Sequence, residues 1–185
     1  MPRRADTNDV IAAVRSVAAR HPDRTVWIGI DGFGAAGKST LATSIASAVD
    51  RVTIVHVDDL WGPSITEWDW DRFGAEVLQP LLSGQVARYR CWDWAADLPG
   101  EWASIEPGRV VVVEGVSSTR AEAGAPWDLT VWVEAPREVR LARALARDGA
   151  ERMPRWLADW MPSEEAYAAR ERPHERVDLL VDGTA

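Results

Sequence analysis

Valines 10, 14 and 17, with Ala18, recur at helical spacing and predict an amphipathic helix over 7–20, capped by Thr7 or Asn8 and ended by Pro22-Asp23. The pattern then becomes continuously apolar and β-branched. TVWIGI (25–30) reads as a buried strand, VTIVHV (52–57) as a second, and RVVVVEGV (109–116) as the clearest of all. DLTVWVEA (128–135) and RVDLLVDG (176–183) add two more. Helical stretches separate them: Ser39–Val49, Asp69–Leu82 with Pro80 tolerated late or ending it, and Pro136 to about Arg147. A polar stretch around Asp148–Pro154 leads into short helices at Trp156–Trp160 and Ser163–Arg170. Residues 60–68 read as a loop, and 86–106 as short β pieces separated by Leu98-Pro99-Gly100. Five apolar strands alternating with helices predict one α/β domain over 1–185, built on a mainly parallel sheet.

Composition narrows the function classes. The 185 residues are 46% hydrophobic and 27% charged, as expected of an ordinary globular chain. Cys91 is the single cysteine, so no intrachain disulfide forms, and one thiol with three histidines builds no zinc site. MPRRADTND lacks the apolar stretch of a signal peptide, and the longest apolar run, about Val110–Val113, is far too short for a membrane span. These features predict a cytoplasmic protein. A net charge of −8 argues against nucleic-acid binding, which needs a basic face. Of 21 basic residues all but one are arginine, the exception being Lys38. Six of the eleven tryptophans crowd between Trp61 and Trp102.

That lone lysine sits in GFGAAGKS (32–39), which matches G-x-x-x-x-G-K-[ST] through Gly32, Gly37, Lys38 and Ser39, with an extra glycine at 34. A strand precedes it and a helix follows, as the motif requires. Glycines let consecutive N–H groups curl toward phosphate oxygens, and the helix adds its positive end. Gly32, Gly34, Ala35, Ala36, Gly37, Lys38, Ser39 and Thr40 are therefore candidate triphosphate contacts, and the Ser39 hydroxyl a candidate Mg²⁺ ligand. Guanine readers need Asn-Lys-x-Asp; the one asparagine is Asn8 and the one lysine is already in the loop, so ATP is the expected nucleotide.

Ligands of parallel sheets gather at the carboxyl ends of the strands. The second strand ends in Asp58-Asp59 and the third in Glu114-Gly115, so two acids are expected beside the γ-phosphate. One can act as base on an acceptor hydroxyl, the other can support the metal. Arg140, Arg143 and Arg147 fall on one helical face, with Arg152 and Arg155 beyond. Arg147 and Arg152 are the candidates for stabilising transferred charge. Arg155 reads as a solvated side chain, and Trp27 and Trp132 as core.

The order of HVDDLW, WDW, YRCWDW, VVVVEG, RLARALARD and DLLVDG resembles the uridine/cytidine kinase-like branch of phosphate-loop kinases, from about Thr25 to Gly183. The resemblance implies the α/β three-layer P-loop NTPase fold, with a five-stranded, mainly parallel sheet, helices on both faces and a mobile lid near 148–162. It implies that Asp58 activates the acceptor hydroxyl, that Asp69 grips a ribose diol, and that Trp92 and Trp94 flank the base. Glu114 corresponds to the Mg²⁺-associated glutamate, and Arg143, Arg147 and Arg152 to helix and lid arginines. One segment departs: where the family carries a histidine after its aromatic pair, this chain has Ala95-Ala96-Asp97.

The expectation is an ATP- and Mg²⁺-dependent kinase for a small-molecule hydroxyl, led by a nucleoside, with residues 60–102 as acceptor insert. A nucleoside monophosphate, a pantothenate-like vitamin or a sugar phosphate remains open as acceptor. Arg88 and Arg90 are the obvious insert cations for a phosphorylated one. A non-catalytic ATP-binding module is the alternative from another class, and self-association into a homo-oligomer is left open.

Overall fold

The computed structural model describes residues 1–60 and 69–184. The chain alternates as predicted: β1 (Arg3–Ala5), α1 (Thr7–Arg20), β2 (Val26–Gly32), α2 (Lys38–Ala48), β3 (Val52–His56) and a 3₁₀ turn Val57–Leu60. There follow α3 (Trp70–Phe73), α4 (Gln79–Leu82), β4 (Ala87–Asp93), β5 (Leu98–Ile105), β6 (Val110–Glu114) and β7 (Leu129–Glu134). Then come α5 (Arg137–Asp148), α6 (Met153–Arg155), α7 (Met161–Glu171), α8 (Pro173–Arg176) and β8 (Leu179–Asp182). The expected loop at 60–68, with Trp61 and Trp68, lies outside the described residues beyond Leu60.

The main sheet has six strands in the order β1-β8-β7-β2-β6-β3, every neighbouring pair parallel. Six corrects the expected five. The five apolar runs are all present, and the extra strand is Arg3–Ala5 at the edge beside β8. Its sequence is RRA, mostly exposed, so no apolar pattern betrays it. Among the described residues no helix is long and apolar enough to cross a membrane.

Strand alternation divides the core between the two faces of the sheet. Val26, Ile28 and Ile30 of β2 pack with Val110 and Val112 against Val10, Val14 and Val17 of α1 and Leu41 and Ile45 of α2. Trp27, Val111 and Val113 point the other way, onto Phe73, Val77, Leu81, Tyr89 and Ile105. A one-residue slip of β2 would exchange the faces, so its register is strongly fixed. Further along the same layer Trp132 packs on Tyr167, Ala168 and Val177.

The part of the tryptophan-rich region that holds Trp92, Trp94 and Trp102 forms a β4–β5 antiparallel hairpin. Its turn is at 94–97, not at Leu98-Pro99-Gly100, which belongs to β5. Asp93 Oδ1 accepts from the amides of Ala95 and Ala96 at 2.9 Å each, and this side-chain turn substitutes for the glycine signal. Two helices widen into a π turn, at Gly74–Leu78 between α3 and α4 and at Trp156–Trp160 between α6 and α7. Each widening precedes a proline, Pro80 or Pro162, whose ring would clash with the carbonyl four residues back. The short helices expected at 156–160 and 163–170 are thus one run continuing from α6.

Candidate functional site

The phosphate loop joins β2 to α2 at the carboxyl edge of the sheet. Gly32 and Gly37 lie at φ 144° and 114°, in the region that favours glycine, and Lys38 opens α2. Lys38 is buried and its Nζ donates to the Phe33 carbonyl at 2.8 Å, which holds the ammonium across the curl of the loop. Gly34, Ala35, Gly37, Lys38, Ser39 and Thr40 line a cavity of about 1150 Å³. Gly32 and Ala36 lie behind that wall: a Cβ on Gly32 would meet the Val133 carbonyl oxygen at 2.2 Å, and Ala36 is fully buried.

Both strand-end acids reach the same cavity. Glu114, the last residue of β6, is buried and accepts from Ser39 Oγ at 2.9 Å, while His56 Nδ1 lies 2.5 Å from the same oxygen. Burial pushes its carboxyl up, but the His56 bond, the Lys38 charge and the Ser39 bond outweigh this and hold it below the usual glutamate range. The Glu114 contact in turn raises the His56 pKa. Asp58, in the 3₁₀ turn after β3, keeps an exposed surface on the cavity wall with protein packed around it. Burial and the Glu114 charge push its carboxyl above the ordinary aspartate range, against Lys38, Arg147 and His56. An ionised acid, a less readily ionised one and a lysine therefore meet at one spot.

Arginines of α5 close the other wall. Arg143 Nη2 donates to the Gly183 carbonyl at 2.8 Å and Nη1 to that of Ala36 at 3.2 Å, tying the loop to the chain beyond β8. Arg147 and Arg152 also face the cavity. Arg147 is paired with Asp148 at 2.7 Å, and the charges of Asp58 and Glu114 both reach it. Arg155 lies over the Trp160 ring with its guanidinium 5.1 Å from the centroid.

The expected acceptor residues separate into two groups. Asp58 and Trp94, the latter in the hairpin turn, line the cavity. Asp69, Arg90 and Trp92 are not among its lining residues. Asp69 caps α3, accepting from the Arg72 amide at 2.8 Å, and Arg90 Nε donates to the Gly100 carbonyl at 2.8 Å. Trp92 is buried.

Two acids, Asp31 and Glu164, carried no signal in the sequence. Asp31 is wholly buried and accepts five hydrogen bonds, from the amides of Gly32, Ser117 and Thr119 and the hydroxyls of Thr119 and Tyr167. Glu164 of α7 accepts from the Gly34 amide at 2.9 Å, and Trp156 covers the loop beside it. An isolated acid within an apolar strand, or on a helix full of acids, has no spacing that would single it out.

The residues present fit Mg²⁺. Among the described residues no group of three or more His, Cys, Asp or Glu side chains could hold a metal. Ser39 and Glu114, in contact at 2.9 Å, would suit a cation that keeps waters and takes its other ligands from phosphate.

No protein-family model matches the chain. In sequence it is similar to the uridine kinase of Halobacterium salinarum, at 27% identity over 181 residues, covering 83% of this chain and 78% of that one. In fold it is similar to a possible uridine kinase from Bacillus stearothermophilus, with a TM-score of 0.66 and 17% identity over 94% of this chain and 99% of that one. A putative fructose transport system kinase from Silicibacter sp. gives a TM-score of 0.65 and 20% identity over 94% and 98%. The α/β phosphate-loop fold and the resemblance to uridine kinase-like proteins read from the motifs both stand.

Proposed function

We propose that this chain is a kinase that transfers the γ-phosphoryl group of ATP to a hydroxyl of a small molecule, with a nucleoside as the leading acceptor. The observation that carries the reading is the convergence of Lys38, Ser39, Asp58, Glu114 and Arg147 on one cavity. Lys38 and the loop amides hold the triphosphate in place. Ser39 and Glu114 would hold Mg²⁺, which supplies charge neutralisation on the phosphates. Asp58 takes the proton of the acceptor hydroxyl; its raised pKa brings it closer to the operating pH than an ordinary aspartate. Arg147 and Arg152 line the same cavity and would offset the charge that accumulates during transfer. In this reading residues 148–162 are the lid and 60–102 the acceptor insert.

The cavity, about 1150 Å³, exceeds the roughly 300–1,000 Å³ of single-ligand pockets, which suits two substrates side by side. Trp94 on its wall offers a flat face for a heterocycle, and the Halobacterium relative is named for uridine. The substitution of Ala95-Ala96-Asp97 for the family's histidine argues that the base is read differently here.

The test is ADP release from Mg²⁺-ATP across nucleosides, vitamins and sugar phosphates. With the acceptor in hand, Asp58→Asn is expected to lower kcat by about 10²–10⁴ while ATP affinity stays within about threefold. Turnover equal to the wild type in that variant would remove Asp58 as the base.

A further inference from the structure

The extra glycine at 34 is not explained by phosphate binding. The motif accepts any residue there. Gly32 and Gly37 supply the positive φ angles of the curl, and Gly34 is not among the positive-φ residues. What Gly34 lacks is room: a Cβ would lie 2.6 Å from Glu164 Oε1 and 2.6 and 2.8 Å from Cη2 and Cζ3 of Trp156. Both partners come from the run that begins at α6 and continues into α7, and both are buried. The Gly34 amide donates to Glu164 Oε2 at 2.9 Å. Next to it, Arg140 lies 4.4 Å over the Phe33 ring and pairs with Glu164 at 3.5 Å.

Trp156 is in turn connected to the cationic wall. Its Nε1 donates to Asp148 Oδ2 at 2.8 Å, and Asp148 binds Arg147 through two hydrogen bonds of 2.7 and 3.0 Å. The Arg147 guanidinium lies 5.9 Å from the Trp156 ring centre. Met161, Met153 and Ala144 pack with Trp156 into a small core that also includes Ala35 of the loop. Seating Trp156 on Gly34 therefore fixes Asp148, and Asp148 fixes Arg147 where it faces Asp58 and Glu114.

We propose that Gly34 is the docking socket of the lid, and that Trp156 and Glu164 are positioning residues which, seated there, hold Arg147 over the reacting phosphate. The socket explains the third glycine, the burial of an acid against the phosphate loop and the tryptophan beside it. The role assigned to Arg147 rests on the kinase reading; the docking itself does not.

The experiment uses the full chain with Gly34→Ala, Glu164→Ala and Glu164→Gln. In the ligand-free protein, trypsin should cut within 147–155 about fivefold or more faster in both alanine variants, because the arginines there are already exposed and local opening of the lid frees the folded backbone beside them for the protease. Glu164→Gln should return to near wild-type rates, since its carbonyl oxygen can accept from the same amide. ATP affinity should stay within about threefold in Glu164→Ala and Glu164→Gln. With an acceptor present, Gly34→Ala should lower kcat about tenfold or more. Adding Arg147→Ala to it should then cost less than about twofold further, the non-additivity expected of coupled residues. Unchanged tryptic rates in Glu164→Ala would overturn the socket, and that variant does not disturb the loop's own backbone. So would markedly tighter ATP binding in Glu164→Ala, which would mean that the carboxylate merely occupies a phosphate position. Full additivity with Arg147→Ala would overturn the positioning role. If no acceptor is ever turned over, the kinase reading fails, and the tryptic rates and affinities still decide the socket.

Discussion

A single carboxylate, Asp128, pins the start of the central strand. It accepts from Arg24 at 2.8 and 2.5 Å and from the Trp27 amide at 2.9 Å. Burial pushes its carboxyl up, but these donors outweigh burial and hold it below the usual aspartate range. A depressed folded-state pKa contributes stability that is present above the unfolded value of roughly 3.9 and is lost as pH falls through the folded one. Asp128→Asn keeps an acceptor for Trp27 but removes the charge. It should cost about 1 kcal/mol at pH 7, a figure reduced because Arg24 is about half exposed. In denaturant melts the gap to wild type should close as pH drops below about 4. A gap independent of pH would mean that charge is not what holds the contact. Residue chemistry of this kind was legible only where spacing reported it. Lys38, Ser39, Asp58 and Glu114 stood out because a motif or a strand end marks them. Asp128, Asp31 and Glu164 owe their roles to chain segments about a hundred or more positions away, which no local pattern records.

Among the elements, α1 shows how a correct helix can carry the wrong cap. The valine spacing predicted 7–20, and the helix spans those residues. The cap is Asp6 rather than Thr7 or Asn8: Asp6 Oδ1 accepts from the Asp9 amide at 2.8 Å, and Asp9 Oδ2 from the Asp6 amide at 3.3 Å. This is a capping box with aspartate in both places. The helix therefore begins one residue earlier than the threonine suggested, directly after β1. Asp6→Ala should lower stability by about 1 kcal/mol, whereas Asn8→Ala should be close to neutral. Equal losses in thermal melts of the two variants would place the cap elsewhere. The hairpin illustrates the opposite case. Leu98-Pro99-Gly100 has the composition of a turn but sits in a strand, because an aspartate four residues before Asp97 builds the turn instead. Composition marks where a turn is affordable; hydrogen bonding decides where it forms.

At the scale of the whole molecule, Asp31 joins three parts of the site that are distant in sequence. Its carboxylate binds the start of the phosphate loop through Gly32, the segment after β6 through Ser117 and Thr119, and helix α7 through the Tyr167 hydroxyl at 2.7 Å. Burial raises the Asp31 carboxyl, and the donors work against that rise. A carboxylate so enclosed depends on each of them, since water cannot replace a lost one. Tyr167→Phe removes one donor and keeps the ring against Trp132 and Ala168. The expected loss is about 2 kcal/mol, or a fall in Tm of about 4–8 °C for a chain of this size. The loss should also be regional. Amide exchange should speed up in α7 and in residues 115–120 before it does in α1, which packs on the opposite face of the sheet. If protection fell equally across the molecule, Asp31 would be one buried polar group among the core contacts. If Tm did not move, the Tyr167 hydroxyl would be dispensable to the network. The regional outcome would tie α7 to the phosphate loop through Asp31 and Tyr167, as the Gly34–Glu164 hydrogen bond ties it at a second point.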